Sequence, residues 1–336
     1  MILDVVDGGL LTTIQDAGRP DWTHLGVPAG GPADPWSLAV ANLLAGNDAA
    51  DAALELTVVG PRLVAREGGV IGIGGADLGA RVVGGRRLEA GRSHRIAAGE
   101  ELAFDGVDDS GRGRPLRGAR AYVALVGGVD VPGVLGSRST CLAGGFGGLD
   151  GRPLRAGDQV RSGPSDARRP ATDELVWPME DDAIDEGTRA APVRLRALPG
   201  PAAGLDSITG ATWRVAAAAD RVGVRLEGHD LGSDIGGEAL THGLPWGAVQ
   251  VPPDGHPIIL GPDHQTTGGY RVPAVVISAD LPLVGQLRPG DEVRLVATDR
   301  DTAVRALRDQ RDRLAAGAAA LLEAAGWDRL AASAGG

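Results

Sequence analysis

The chain has 336 residues and a formal net charge of −11, which argues against a nucleic-acid or anionic-membrane surface. It is 43% hydrophobic but only 3% aromatic, so about two domains with cores of Val, Leu, Ile and Ala are expected. No lysine occurs, which excludes a Walker A loop, a Schiff-base lysine and a biotinyl-lysine on this chain.

Residues 1–19 read as a strand, a turn at Asp7-Gly8-Gly9 and a second strand through Thr12, Thr13 and Ile14. A polar, glycine-rich loop follows from His24 to Asp34. Asp34 is a good N-cap and Pro35 fits the first helical position. Leu38, Ala41 and Ala45 mark one face of that helix, Asn42 lies on the neighbouring stripe, and Gly46-Asn47 ends it. Glu55 sits between Leu54 and Leu56 in an apolar strand, so it faces the opposite side of the sheet and needs a partner if that side is covered.

From Val58 to Val160 the pattern is β-like, in keeping with 54 glycines and 22 prolines. Gly72-Ile73-Gly74 is not a dinucleotide fingerprint, because Asp77 stands where the third glycine belongs. Gly136-Ser137-Arg138-Ser139-Thr140 is not a nucleophile elbow, because its fifth residue is Thr. Cys141, the one cysteine, excludes an intramolecular disulfide and reads as a small apolar residue in a reducing cytosol. No apolar run is long enough to span a membrane and the N-terminus has no leader pattern, so a cytoplasmic location is expected.

Residues 166–192 read as a linker between a first domain over 1–165 and a second over 193–300. Strands are expected around Val193–Leu198, Trp213–Val215 and Val222–Leu226. Then comes the densest stretch, residues 250–270. Here Gln250 leads to the turn Pro253-Asp254-Gly255, and the short strand Ile258-Ile259-Leu260 leads to Asp263, His264, Gln265, Thr266 and Thr267. Gly268 and Gly269 remove side chains just afterwards, so a ligand or a second backbone can approach closely. Arg288-Pro289-Gly290-Asp291 mirrors Arg155-Ala156-Gly157-Asp158, each before a Val-bearing strand, which suggests two related barrel units. Residues 301–330 are expected to form a C-terminal helix with Val304, Leu307, Leu314 and Leu321 on its apolar side.

The runs Gly247–Gly255 and Asp263–Tyr270 resemble the signature of one family, as do Gly136–Thr140 with Gly144–Gly148 and the Asp220-Arg221-x-Gly-x-Arg225 pattern. That family holds the C subunit of the heteromeric ATP-dependent 5-oxoprolinase. It is also known as allophanate hydrolase subunit 2 and as the biotin-dependent carboxyltransferase part of urea amidolyase, and it includes an antagonist of a sporulation-kinase inhibitor. The sequence departs from it where Val224 replaces an aromatic and where Pro201–Ala219 is short, so a trimmed helix is expected there.

The resemblance implies a mainly β fold: two cyclophilin-like β-barrel domains with a few short helices and a C-terminal helix, and a groove between the domains. It implies ATP-dependent hydrolysis of 5-oxo-L-proline to L-glutamate, in a complex with a small B-type and a larger A-type subunit. The alternatives are carboxyl transfer from biotin to urea or a related amide, and a non-enzymatic regulatory role. Asp263, His242 and Gln265 are the expected catalytic residues, with Asp263 or His242 as base. Arg138, Arg221 and Arg225 are expected to clamp phosphate or carboxylate, and Gln250, Gln265, Thr266 and Thr267 to orient an amide. His24, Asn42 and Tyr270 complete the substrate-binding set. Asp34, Glu55, Gly268 and Gly269 are expected to support it, Gly268 through a positive φ. No metal ligand set is evident.

Overall fold

A computed structural model describes residues 1–106, 118–164, 173–178, 192–235 and 237–326. Most of the expected linker and the last residues of the expected C-terminal helix lie outside the described residues. The chain divides into two compact units that do not follow a single cut: Met1–Gly18, Pro35–Glu180 and Arg311–Gly336 form one, and Arg19–Asp34 with Asp181–Gln310 form the other. The fold is mainly β and of barrel type, with short helices and one long C-terminal helix.

The first unit contains β1 (Ile2–Asp7), β2 (Thr12–Gln15), α1 (Pro35–Leu44), β3 (Ala53–Thr57), β4 (Arg62–Glu67), β5 (Gly69–Gly75), β6 (Ala80–Val82), β7 (Arg92–Ile96), β8 (Glu101–Phe104), β9 (Arg120–Leu125) and β10 (Gln159–Arg161). They make two five-stranded sheets, ordered β10-β1-β4-β8-β6 and β2-β3-β9-β5-β7. Leu3, Leu63 and Phe104 of the first sheet meet Leu54, Leu56 and Ile73 of the second in one core. The two-residue alternation then turns Ala53 and Glu55 to the other side of β3. That side is covered by α1, whose Leu38 and Ala41 pack on Ala53, Tyr122 and Ala124.

The glycines of β5 explain how a helix fits there. A Cβ on Gly72 would stand 2.1 Å from the Ala41 carbonyl oxygen, and one on Gly74 2.3 Å from that of Ser37. The run that fails as a nucleotide fingerprint is therefore a seat for a helix backbone. Trp36, Val40 and Leu44 on the far side of α1 pack with Trp177 and Leu321, and the Trp36 and Trp177 rings meet edge to face at 6.1 Å. With both sides covered, α1 has no solvated face, and even Asn42 is buried.

The second unit contains β11 (Val193–Pro199), α2 (Leu205–Thr209), β12 (Trp213–Val215), β13 (Gly223–Glu227), α3 (Gly232–Ile235), β14 (Glu238–Gly243), β15 (Ala248–Val251), β16 (Ile258–Leu260), β17 (Thr267–Val276), α4 (Leu281–Gln286), β18 (Glu292–Ala297) and the start of α5 (Arg300–Ala324). Its sheet runs β11-β18-β12-β13-β16-β15-β17, and β17 pairs back onto β11, so seven strands close a barrel. Leu195, Trp213, Leu226, Val249, Val251, Ile259 and Ala274 fill the interior. The expected short helix is α2, five residues long, and Val224 points into the core. β14 adds an eighth strand on β17 outside the closed ring.

The two mirrored turns have one geometry. Gly157 and Gly290 take φ of +91° and +89°. The amide of Arg155 donates to Asp158 Oδ2 at 2.7 Å, and that of Arg288 to Asp291 Oδ2 at 2.8 Å. The aspartate carbonyl then accepts from Val5 in one unit and Val215 in the other. The same turn launches the same strand pairing twice, a structural trace of the internal repeat.

The seat under α1 gives a direct test. Gly74→Val adds a side chain where the helix backbone already lies, and overpacking of this kind costs about 1–3 kcal/mol or more. Chemical denaturation should show a loss at or beyond the upper end of that range. A loss within experimental error would mean that α1 does not rest on β5.

Candidate functional site

The turn between β16 and β17 is held by a buried ion pair. Arg221 is 3% exposed and Asp263 6%. The guanidinium Nε donates to Oδ2 at 2.7 Å and Nη2 to Oδ1 at 3.0 Å. Nη2 also donates to the carbonyl of Gly31 at 2.7 Å, and the Gly30 amide donates to the Pro262 carbonyl at 3.1 Å. These bonds fasten the 29–31 loop to the 261–263 turn and account for the membership of residues 19–34 in the second unit. In the same unit, Asp34, expected to cap α1, accepts from Gln286 Nε2 at 2.7 Å.

His264 follows the pair and is itself buried. Its Nδ1 lies 2.6 Å from the Gln265 carbonyl oxygen. A carbonyl can only accept, so Nδ1 carries the proton and Nε2 is bare. Burial pushes the imidazole pKa below its usual 6.5, against the opposing pull of that hydrogen bond and of Asp263. Gln265 is thereby fixed at the backbone while its side chain is exposed.

The Gln265 side chain reaches Gln250. Gln265 Nε2 donates to Gln250 Oε1 at 3.1 Å. Gln250 alternates with the interior residues Val249 and Val251, so it lies on the outer face of the barrel wall, yet it is only 2% exposed. Its Nε2 is buried with no hydrogen-bond partner among the described residues. Both amides crowd Gly268. A Cβ there would stand 2.6 Å from Leu244 Cδ1, 2.8 Å from Gln250 Nε2 and 3.5 Å from Gln265 Nε2. Gly268 is absent from the positive-φ glycines, so it is required for space rather than for the left-handed backbone expected from the sequence.

Strand register adds two more side chains to this face. His242 of β14 stands directly opposite Gly268 of β17, which puts both on the same side of the sheet. The His242 ring is half-buried, and its Nδ1 donates to the Leu240 carbonyl at 3.0 Å, leaving Nε2 bare. Across the wall, Ile258 pairs with both Gln250 and Arg225. Arg225, Ile258 and Gln250 thus form one row on the outer face, and Arg225 is exposed.

The structure therefore assembles His242, Gln250, Gln265, Gly268 and Arg225 on one face. It gives Asp263 and Arg221 a different office from the base and anion clamp expected of them, because each already satisfies the other. Thr266 contributes its carbonyl to the Leu244 amide at 2.9 Å, Thr267 is exposed at the start of β17, Gly269 follows inside the strand, and Tyr270 is 40% exposed. His24 is exposed on a short 3-10 helix, Pro20–Leu25.

The remaining candidates belong to the first unit and are not gathered into one site. Asn42 is fully buried; its Nδ2 donates to the Asp51 carbonyl at 2.7 Å and its Oδ1 accepts from Asn47 at 3.0 Å. Glu55 accepts from Tyr122 Oη at 2.7 Å, with Arg120 Nε 3.7 Å away. The exposed Arg138 donates through Nε to the Val131 carbonyl at 2.9 Å. Its loop is pinned by Asp16, which accepts from the Ser137 and Ser139 hydroxyls and from the Arg138 amide. Sequence reasoning does not single out Asp16, His264 or Gln286; only His264 is signalled there, by its place between Asp263 and Gln265. Among the described residues no group of three or more His, Cys, Asp or Glu side chains is set to hold a metal, and no helix is long and apolar enough to cross a membrane.

Comparison with known proteins places this geometry in context. A family model described as the carboxyltransferase domain, subdomain A and B, matches residues 25–297. The chain is 35% identical to the C subunit of 5-oxoprolinase from Escherichia coli (strain K12), covering 92% of this chain and 95% of that protein. It is 31% identical to the urea amidolyase of Lachancea kluyveri, where the match covers 92% of this chain but only 17% of the relative. Among solved structures, the urea carboxylase of Kluyveromyces lactis superposes with a TM-score of 0.81 at 28% identity, over 94% of this chain and 29% of that one.

Two measurements check the anchoring and the buried histidine. Asp263→Asn strands a buried guanidinium and should cost about 3–5 kcal/mol of unfolding free energy. A catalytic base would instead leave stability intact and remove turnover alone. For His264 the native pKa lies below the unfolded one, so its stabilising contribution is full above about pH 6.5 and is lost as pH falls through the lowered native value. Stability curves between about pH 7.5 and pH 5 should therefore fall less steeply in His264→Asn than in the wild type. Parallel curves would refute the assignment.

Proposed function

This chain belongs to the carboxyltransferase domain family, subdomains A and B, and we propose that it serves as the C subunit of an ATP-dependent 5-oxoprolinase. In that role it takes part in opening the lactam of 5-oxo-L-proline to L-glutamate. The observation that carries this reading is the end-to-end match with a 5-oxoprolinase C subunit, 95% of whose length the chain covers. The relatives named for urea chemistry are several times longer than the part that this chain spans.

A lactam is a stable amide, and ATP supplies the activation of its oxygen. The residues of this chain do not fit a triphosphate. It has no lysine, and Arg221 is already bound at both carboxylate oxygens of Asp263. Activation is therefore assigned to partner chains, a small B-type subunit and a larger A-type subunit. What falls to this chain is to hold the lactam and move a proton.

Gln265 suits the first task. One Nε2 hydrogen is given to Gln250, which fixes the plane of the amide and leaves Oε1 and the second Nε2 hydrogen facing outward. That edge matches a cis amide: Oε1 accepts from the lactam N–H, and Nε2 donates to the lactam oxygen. The bare Nε2 of His242 suits the second task, taking a proton from water as it attacks the activated carbon. Donors fixed before the reaction stabilise developing charge without reorganising.

A second reading is carboxyl transfer to urea from a biotin carried by another protein. The superposition on the urea carboxylase at a TM-score of 0.81 favours it, and the Gln265 edge fits a ureido group as well as a lactam.

Reconstitution separates the readings. Purified with its partner subunits, the chain should support ATP-dependent glutamate formation from 5-oxoproline, and alone it should not. Biotin-dependent consumption of urea would favour the second reading, and neither activity would leave a regulatory role. Buried ligand-facing hydrogen bonds cost about 1–3 kcal/mol when left unpaired, so Gln265→Ala should lower turnover by about 10- to 100-fold with an unchanged melting temperature. Unchanged turnover would move the site elsewhere.

A further inference from the structure

A lactam edge alone does not tell 5-oxoproline from any other small cyclic amide. The substrate differs from plain pyrrolidinone by one carboxylate, and specificity for it requires a cation on the same face as Gln265. Strand register supplies one. Arg225 of β13 pairs with Ile258 of β16, and Ile258 pairs with Gln250 of β15. Directly opposed residues share a face, so Arg225, Ile258 and Gln250 stand in a row. Val224 and Leu226, which flank Arg225, point into the barrel, as do Val249 and Val251 beside Gln250. The whole row is thus fixed outward by the core.

Adjacent strands lie about 4.8 Å apart, so the backbones of Arg225 and Gln250 are separated by about 10 Å. An arginine stem lies readily along apolar surface with its charged head extended. Ile258, half-buried between the two, provides that surface. Ile258 in turn leans over Gly223, where a Cβ would come within 2.7 Å of its Cγ2. The Arg225 guanidinium enters no hydrogen bond or ion pair with the described residues. This distinguishes it from Arg221, four positions earlier, which is consumed by Asp263.

We propose that Arg225 is the specificity-determining residue of this face: it pairs with the carboxylate of the lactam substrate that Gln265 holds by its amide. The inference rests on the lactam reading of the site. It divides the two arginines of the Asp220–Arg225 motif into an anchor, Arg221, and a ligand reader, Arg225. It also gives the face a preference for an anionic lactam over neutral urea, because a charged ligand group meets a planar, always-charged fork.

The test measures binding of two ligands, 5-oxo-L-proline and pyrrolidinone, to the intact chain by calorimetry or ligand-observed NMR. Wild type should bind 5-oxoproline about tenfold more tightly than pyrrolidinone. Arg225→Gln should erase that preference by weakening 5-oxoproline alone, and Arg225→Lys should restore part of it. An exposed position on β13 tolerates both changes, so melting temperatures should match the wild type. Equal weakening of both ligands in Arg225→Gln, or no weakening of either, would overturn the proposal while the lactam site stands. Gln265→Ala provides the separate control. If the wild type binds neither ligand, the lactam reading falls, and the assignment of Arg225 falls with it.

Discussion

Removing a guanidinium and a carboxylate from water costs several kcal/mol for each ion, and the cost is offset only when geometry and further hydrogen bonds are good. Arg221 and Asp263 meet that condition, with two parallel bonds between them and a third to the Gly31 carbonyl. Much of the candidate site depends on this arrangement. The pair fixes where the 261–264 turn ends, hence where the His264 ring is buried. His264 fixes the Gln265 carbonyl, and from that point the Gln265 side chain reaches Gln250. Replacing such a pair by apolar residues of like volume is often neutral for stability, but here it would remove the donor that binds the 29–31 loop. The ion pair contributes position, and the ligand-facing groups are neutral amides and a bare imidazole.

The first unit solves a different constraint. Its helix α1 is covered on both sides, so helix and sheet must approach closely and every polar group between them must be paired. Glycines in β5 meet the first demand. Tyr122 with Glu55, and Asn42 with Asn47 and Asp51, meet the second. These polar residues look like site residues in the sequence because they interrupt apolar runs. In the structure each is accounted for by burial and a named partner.

Much of the fold was legible in the sequence. Glycine, proline and valine patterning marked the strands, the Arg-x-Gly-Asp turns marked the repeat, and the apolar stripe marked α5. The site was legible in part. The 250–270 stretch was visible as polar and glycine-rich, but its roles were not. Asp263 and Arg221 lie 42 residues apart, and Arg221 and Gly31 190 apart. Local pattern carries no sign of such pairings, so an arginine in a ligand site and an arginine in an ion pair look alike. Gly268 shows the same limit. Its sequence context suggests a special φ, whereas the requirement comes from Leu244 and Gln250, which only tertiary structure brings to it.

What the structure adds is parity. A strand residue and its neighbour face opposite ways, so the barrel core, once assigned, decides which polar residues share the outer face. Val249 and Val251 inside send Gln250 out; Val224 and Leu226 inside send Arg225 out; the pairing of β14 with β17 places His242 with Gly268. The apolar residues thereby select the chemistry of the wall without touching a ligand. A one-residue slip in β13 would bury Arg225 and expose Val224, and a slip in β15 would turn Gln250 into the core. The closed ring resists both, because β17 pairs back onto β11 and no strand of the seven is free to shift against a single neighbour.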